Sequence, residues 1–189
     1  MVESSVAFIV SQLNQALKNR FALDDEIVVI SNLSESSSLI TDDRMVATLV
    51  NIERDTFPSK SSQSPQFRHD VTAVSHRPIS LNLYLMFIAN FQGEKYQEGL
   101  KFISSTIEFF QNNPAFDRAR HQGMPAGIDK LLLEMENLDL REIHSIWTLI
   151  TGNYMPSVLF KIRTISFEQG VQGLAPVAHR VENSAERRQ

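Results

Sequence analysis

Residues 78–91 read PISLNLYLMFIANF, and every odd-numbered residue from Ile79 to Phe91 is apolar. Strict alternation predicts a β-strand, because successive side chains of a strand point to opposite faces of its sheet. At ~3.3 Å per residue the segment would extend about 45 Å, roughly twice the usual strand length. The even positions mix polar and apolar residues, which predicts a second face only partly covered by helices.

Helix and strand patterns alternate around this strand. Apolar residues spaced three and four apart predict helices over 6–21, 96–112 and 139–152, and the middle helix carries an apolar stripe of Tyr96, Leu100, Ile103, Ile107 and Phe110. For the third helix, the sequence predicts a capping box of Asp139 and Glu142, a hydrophobic staple of Leu138 and Ile143, and a C-terminal cap at Gly152. Further strands are predicted at 27–30, 44–54, 130–136 and 157–167, whereas 115–127 reads as a loop. Apolar residues on both faces of 44–54 favour a central strand.

This order predicts an α/β or α+β fold, in which one mixed β-sheet is covered by amphipathic helices. The strands at 44–54 and 79–91 are adjacent in the chain and can pair antiparallel. A chain of 189 residues is long enough for one core. We predict a domain over 1–167 with a flexible loop at 55–77, followed by a flexible C-terminal tail at 168–189.

Composition excludes several classes of protein. A net charge of −4 gives no basic footprint for nucleic acid. The chain has no cysteine, so disulfides, thiolate catalysis and cysteine-based zinc sites are excluded. The N-terminus lacks a signal-peptide pattern, and no apolar run reaches the ~20 residues that span a bilayer. We expect a protein that is made in the cytoplasm and does not insert into membranes.

No catalytic, cofactor-binding or metal-binding residue emerges from the sequence. None of the five histidines has a partner at the four-residue spacing that directs two imidazoles at one metal ion. The serine-nucleophile elbow, the phosphate loop and the dinucleotide fingerprint are all missing. We predict a protein that is not an enzyme and uses no cofactor, with an active site assembled from distant positions as the weaker alternative.

The aromatic residues allow two interpretations. They form either a ligand-stacking surface or, as their helix and strand spacings favour, part of the core. We expect Trp147 and Phe110 to pack against the sheet. Tyr154 lies in a turn before Pro156, where a buried phenol is the simpler expectation.

Several segments in a fixed order resemble a known bacterial family. They are NLYLMF at 82–87, Tyr96, IEFFQNNPAF at 107–116, KLLLEMENLDL at 130–140 and IW…GNYMPSVLFKIR at 146–163. The chain resembles the tail-terminator or cap proteins of extracellular contractile injection systems, the phage-tail-like particles of the antifeeding-prophage and virulence-cassette type. The residues that carry the resemblance are mostly structural: Leu83, Tyr84, Phe110, Pro114, Trp147, Tyr154, Pro156 and Ser157.

The resemblance implies a phage tail-terminator-like fold and a structural assembly protein. Such proteins form a sixfold ring that caps the tube and sheath, so the implied partners are other copies of the chain, the sheath protein and the inner-tube protein. An adaptor or baseplate-associated binding module of the same particle is the alternative. Assembly would take place in the bacterial cytoplasm, and the finished particle would be released outside the cell.

The loop at 55–77 and the tail at 168–189 are the segments that we expect to contact partner subunits; the alternative, strongest for the tail, is that they are solvated and contact no partner. A ring subunit presents two different faces to its neighbours, and an extended segment can dock by adding a strand to an open sheet edge. The predicted partner-contact residues are Phe57, Phe67, Arg68, Arg163 and Arg180.

Overall fold

The computed structural model describes residues 1–33, 42–56, 80–150 and 153–165, and the structural statements below concern these residues. The predicted tail at 168–189, most of the predicted loop at 55–77 and the predicted helix cap Gly152 lie outside them. The helices are α1 (Val2–Phe21), α2 (Tyr96–Asn112, after a 3₁₀ turn at Gly93–Lys95) and α3 (Leu140–Ile150). The strands are β1 (Val28–Ile30), β2 (Arg44–Arg54), β3 (Leu81–Asn90), β4 (Ala115–Asp117), β5 (Lys130–Glu136) and β6 (Ser157–Ile165).

The strands form one sheet in the order β1-β2-β3-β6-β5-β4. Only β1 and β2 are parallel, and the other neighbours are antiparallel, which confirms the predicted mixed sheet and the predicted pairing of β2 with β3. The predicted loop at 115–127 is wrong at its start, where Ala115–Asp117 forms the edge strand β4. The Phe116 side chain is buried there, and the Pro114 carbonyl accepts the Leu133 amide, so this segment is fixed to β5.

The odd-numbered residues of β3 face α1 and α2, and Leu83, Leu85 and Phe87 are fully buried in the larger core cluster. The sheet curls around α1. Phe8 of α1 contacts Phe116 in β4 with ring centroids 5.7 Å apart, and Asn14, less than two turns later, binds β1 at the opposite edge. In a flat sheet these edges would lie about 24 Å apart, five strand spacings of ~4.8 Å.

Asn14 is a buried polar residue that acts as a strand partner for β1. Its amide nitrogen donates to the Val28 carbonyl at 2.8 Å, and its amide oxygen accepts the Val28 N–H at 2.8 Å. Both side-chain groups and both backbone groups are therefore satisfied in the core, where an unpaired polar group costs about 1–3 kcal/mol. This contact fixes α1 against the edge of the sheet.

The second face of the sheet is covered by α3. Met86 and Ile88 of β3 pack in a smaller cluster with Trp147, which confirms that the tryptophan contacts the sheet. The helix covers only part of this face, as predicted, since Tyr84 is half-buried, although Asn82 and Asn90 are buried as well as Met86 and Ile88.

Helix α2 buries only part of the predicted stripe, since Ile103 and Ile107 pack against the core but stay partly exposed. Its buried residues are Gly99, Phe102, Ser105, Thr106 and Phe110, whereas Tyr96 and Leu100 are exposed. Small residues set this orientation. A Cβ atom on Gly99 would lie 3.0 Å from the Phe91 ring and 3.2 Å from Ala89 Cβ, so glycine lets the helix approach the sheet. Phe110 is buried as predicted.

The start of α3 is fixed by a capping box, as the sequence predicts. The Asp139 carboxylate accepts the amides of Arg141 and Glu142, each at 2.8 Å, and the Glu142 carboxylate accepts the Asp139 amide at 2.8 Å. Leu138 and Ile143 both pack against the smaller core cluster, as expected for a hydrophobic staple. These contacts position Trp147 over the sheet.

Candidate interaction surfaces

Two chain segments outside the described residues, 57–79 and 166–189, are attached at three points to one end of the sheet, here called the exit end. The chain leaves after Thr56, returns at Ser80 and leaves again after Ile165. The register places these points together, because Arg54 is opposite Leu81 and Asn82 is opposite Arg163. Both segments predicted to contact partners are therefore attached to the same end of the sheet.

Polar contacts tie the strands together at the exit end. Arg163 on β6 reaches past β3 to Asp55, with its Nε 2.7 Å from one carboxylate oxygen and a terminal nitrogen 3.1 Å from the other. The Asp55 side chain is only 3% exposed. Two-point pairing of this kind combines charge with a fixed orientation. Thr164 adds a second link by accepting the Leu81 amide and donating to the Leu81 carbonyl.

The outer side of β2 is only partly paired. β2 is 11 residues long, but β1 has three residues and pairs only with Met45, Val46 and Ala47. Among the described residues no strand lies beside the rest of β2 on that side, which leaves Leu49–Arg54 as an open edge. The prediction that 44–54 is a central strand is therefore right for its first half and wrong for its second.

The open edge exposes apolar side chains. A register shift between Leu49 and Asn51 marks a β-bulge, and Leu49 and Ile52 are 37% and 47% exposed. The Asn51 side chain occupies the Ile52 amide, since its Oδ1 accepts that N–H at 2.9 Å. The Asn51 side chain thus occupies the position that a backbone carbonyl of a neighbouring strand would take at the Ile52 amide.

A polar network lies on the second face near the exit end. The Tyr84 hydroxyl donates to Glu53 at 2.9 Å, and Lys161 lies 5.9 Å from the centre of the Tyr84 ring and 3.5 Å from a Glu136 oxygen. Desolvation, followed by the hydrogen bond and negative charge of Glu53, raises the pKa of the Tyr84 phenol. The buried Asn82 Oδ1 has no hydrogen-bond partner among the described residues.

The eight residues that carry the resemblance do not form one site. Leu83, Phe110 and Trp147 are core residues, and Tyr84, Pro156 and Ser157 are half-buried. Pro114 is exposed, although its carbonyl accepts a backbone hydrogen bond from β5. The expectation of a buried Tyr154 phenol is wrong: this residue is 65% exposed, and its ring edge packs on Trp147 with centroids 5.8 Å apart.

Of the predicted partner-contact residues, Phe57, Phe67, Arg68 and Arg180 lie outside the described residues. Arg163 lies at the exit end, where its guanidinium pairs with Asp55 of the same chain. A role for these five residues in subunit contact stays a prediction. Sequence reasoning missed the open edge, because the residue pattern of β2 does not show how far its neighbour in the sheet extends.

Two further features of the described residues concern metal binding and membrane insertion. In the described ranges, histidine and acidic side chains form no group of three or more suited to a metal ion. No helix in those ranges has both the length and the apolar character needed to cross a bilayer.

Comparison with known proteins gives one family and a set of similar folds. The family model described as the Pvc16 N-terminal domain matches residues 6–179. No curated protein sequence gives a significant match.

Two solved structures resemble the chain over nearly its full length. The PVC sheath/tube terminator of an extracellular contractile injection system, in its extended state, aligns with a TM-score of 0.53 and 14% identity, covering 96% of this chain and 64% of that protein. The anti-feeding prophage cap, a tube-terminating cap, aligns with a TM-score of 0.49 and 13% identity, covering 93% of this chain and 61% of the cap. The chain thus has the fold of the PVC sheath/tube terminator. It spans less than two thirds of the length of that protein or of the anti-feeding prophage cap.

Proposed function

Because the chain belongs to the Pvc16 N-terminal domain family, we propose that it caps the tube and sheath of an extracellular contractile injection system. The observation that carries this proposal is the family match over residues 6–179, which leaves only short segments at the two ends unmatched. The shared fold with a sheath/tube terminator supports it. The chain is then a structural subunit with no catalytic reaction of its own, and it acts by occupying the growing end of the polymer.

The proposed cap is a ring of six copies that contacts the last sheath and inner-tube subunits. A ring requires two different contact surfaces on each copy, because head-to-tail association closes only when one surface binds the other. The exit end and the open edge are two such surfaces, and they differ in chemistry. Six copies of 21.5 kDa give about 129 kDa, the mass expected by multi-angle light scattering.

The chain would act first in the bacterial cytoplasm, where tube and sheath polymerise, and would then remain on the particle that is released. Electron microscopy of particles from cells lacking the gene tests this role. We expect tubes of uncontrolled length or sheaths that detach, with normal particles restored when the gene is supplied again. Particles of normal length and stability would overturn the cap assignment, and normal tubes lacking baseplates would favour the adaptor alternative.

A further inference from the structure

The open edge of β2 has the features of a strand-binding site. An unpaired edge offers backbone N–H and C=O groups to another strand, and natural edges are commonly protected by lysine, proline or short length. The segment Leu49–Arg54 is six residues long and contains neither lysine nor proline, so its protection is limited to the bulge and to the charged residues Glu53 and Arg54. It also exposes the apolar side chains of Leu49 and Ile52. The edge therefore offers both hydrogen bonds and apolar contact to an incoming strand.

The register identifies the outward-facing backbone groups. Hydrogen-bonding directions alternate along a strand, and the Asp55 amide points inward to the Ser80 carbonyl at 2.9 Å. The N–H and C=O groups of Ile52 and Arg54 therefore face outward. The side-chain oxygen of Asn51 holds the Ile52 amide, a contact that an added strand would replace with a backbone carbonyl.

The C-terminal segment is the part of the chain best placed to provide that strand to another copy. Residues 166–189 begin after Ile165 at the exit end, and 24 residues extend up to ~79 Å at ~3.3 Å each. Residues 57–79 start from the same end but are tethered on both sides, to Thr56 and Ser80. Residues 166–189 join the described fold only at Ile165.

Chain topology favours a neighbouring copy over the same molecule as the acceptor. Strand β6 is separated from β2 by β3, so the segment would have to pass over the ends of β3 and β2 to reach its own open edge. The chain leaves β2 after Thr56 and returns to β3 at Ser80 at that same end, and connections rarely cross on the same end of a sheet. A second copy presents its open edge without this obstacle.

We propose that residues 166–189 of one copy bind the open edge of β2 in the next copy as an added β-strand. This rests on the proposed function, because a closed ring supplies one donor and one acceptor for every copy. The family match supports it by continuing to residue 179, fourteen residues past the end of β6. The ring is then held by backbone pairing as well as by side-chain contacts.

Cysteine cross-linking tests the contact directly, because the natural chain has no cysteine. Cells that assemble the particle would carry two versions of the chain, one with Ile52→Cys and one with Val177→Cys. Purified particles would then be treated with a short bis-maleimide. We expect a mixed dimer of about 43 kDa, twice 21.5 kDa, and its loss when Leu149→Cys replaces Ile52→Cys. Leu149 is the matched control because it is an 86% exposed leucine on α3.

Two further variants separate this contact from capping itself. When the edge cysteine is placed at another position of the open edge, Ile52→Lys in the same copy should abolish the mixed dimer and loosen the ring. Leu149→Lys should leave the mixed dimer and the ring unchanged. If deletion of the gene disrupts tube length but no mixed dimer forms, or the Leu149→Cys control cross-links equally, the strand contact is overturned and the cap survives. If deletion leaves tube length normal, the proposed function fails first.

Discussion

Asn14 provides the sharpest test of how α1 holds the edge of the sheet. Its amide makes two hydrogen bonds with Val28, which is itself almost completely buried. Replacing Asn14 by alanine removes both partners and leaves a buried N–H and a buried carbonyl unsatisfied. At about 1–3 kcal/mol for each group, we expect the free energy of unfolding to fall by about 3 kcal/mol.

Urea denaturation followed by tryptophan fluorescence measures this loss. Trp147 is the only tryptophan and is buried on the opposite face of the sheet, so its signal reports unfolding of the whole domain. With a slope of about 2 kcal/mol per molar urea, the midpoint should fall by about 1.5 M. Asn112→Ala, at an exposed asparagine near the end of α2, should shift the stability by less than about 0.5 kcal/mol.

Asn14→Leu separates hydrogen bonding from packing. Leucine branches at Cγ as asparagine does and, being larger, fills the site, but it satisfies neither Val28 group, so the variant should be destabilised nearly as much as Asn14→Ala. A leucine variant as stable as the natural protein would refute the reasoning, because packing alone would then hold β1.

Three further predictions follow from local contacts. Asp139→Ala removes the N-cap of α3 and should lower the free energy of unfolding by about 1 kcal/mol in the same urea assay, with no added loss from Glu142→Ala if the box acts as a unit. Gly99→Ala should lower it by about 1 kcal/mol, since crowding against Phe91 outweighs the gain in helix propensity; an increase would contradict this. The Tyr84 phenol should ionise above its ordinary pKa of 10.0 in an absorbance titration. Because the pKa of Tyr84 is raised in the folded state, Tyr84 makes its full stabilising contribution below its ordinary pKa. That contribution is lost as the pH rises through the folded-state pKa. Tyr84→Phe should abolish this dependence of stability on pH.

The elements predicted correctly are those whose signals are local. Alternation over 79–91 identified β3, and the capping box at Asp139 identified the start of α3, because each depends on residues close together in the chain. The predicted buried face of α2 was wrong in part, because glycine, serine and threonine make the close contact with the sheet and a count of apolar residues overlooks them. The prediction of a buried Tyr154 phenol was wrong because the ring packs on Trp147 while the residue stays largely exposed.

The open edge could not be predicted from the sequence, for a physical reason. β2 has apolar residues on both faces along much of its length, and that pattern does not reveal how far its neighbour extends. The edge exists because β1 ends at Ile30, a boundary set by pairing between distant segments. The predicted partner-contact segments did prove to be attached to one end of the sheet, which only the register of β2, β3 and β6 revealed.

The position of the chain on the assembled particle is the most direct test of the central claim. Cryo-electron microscopy of intact particles should show the six-stranded fold in a single ring at the end of the tube and sheath opposite the baseplate. The ring should be missing from particles made without the gene. Density for this fold at the baseplate, repeated along the sheath or not on the particle at all would contradict the account.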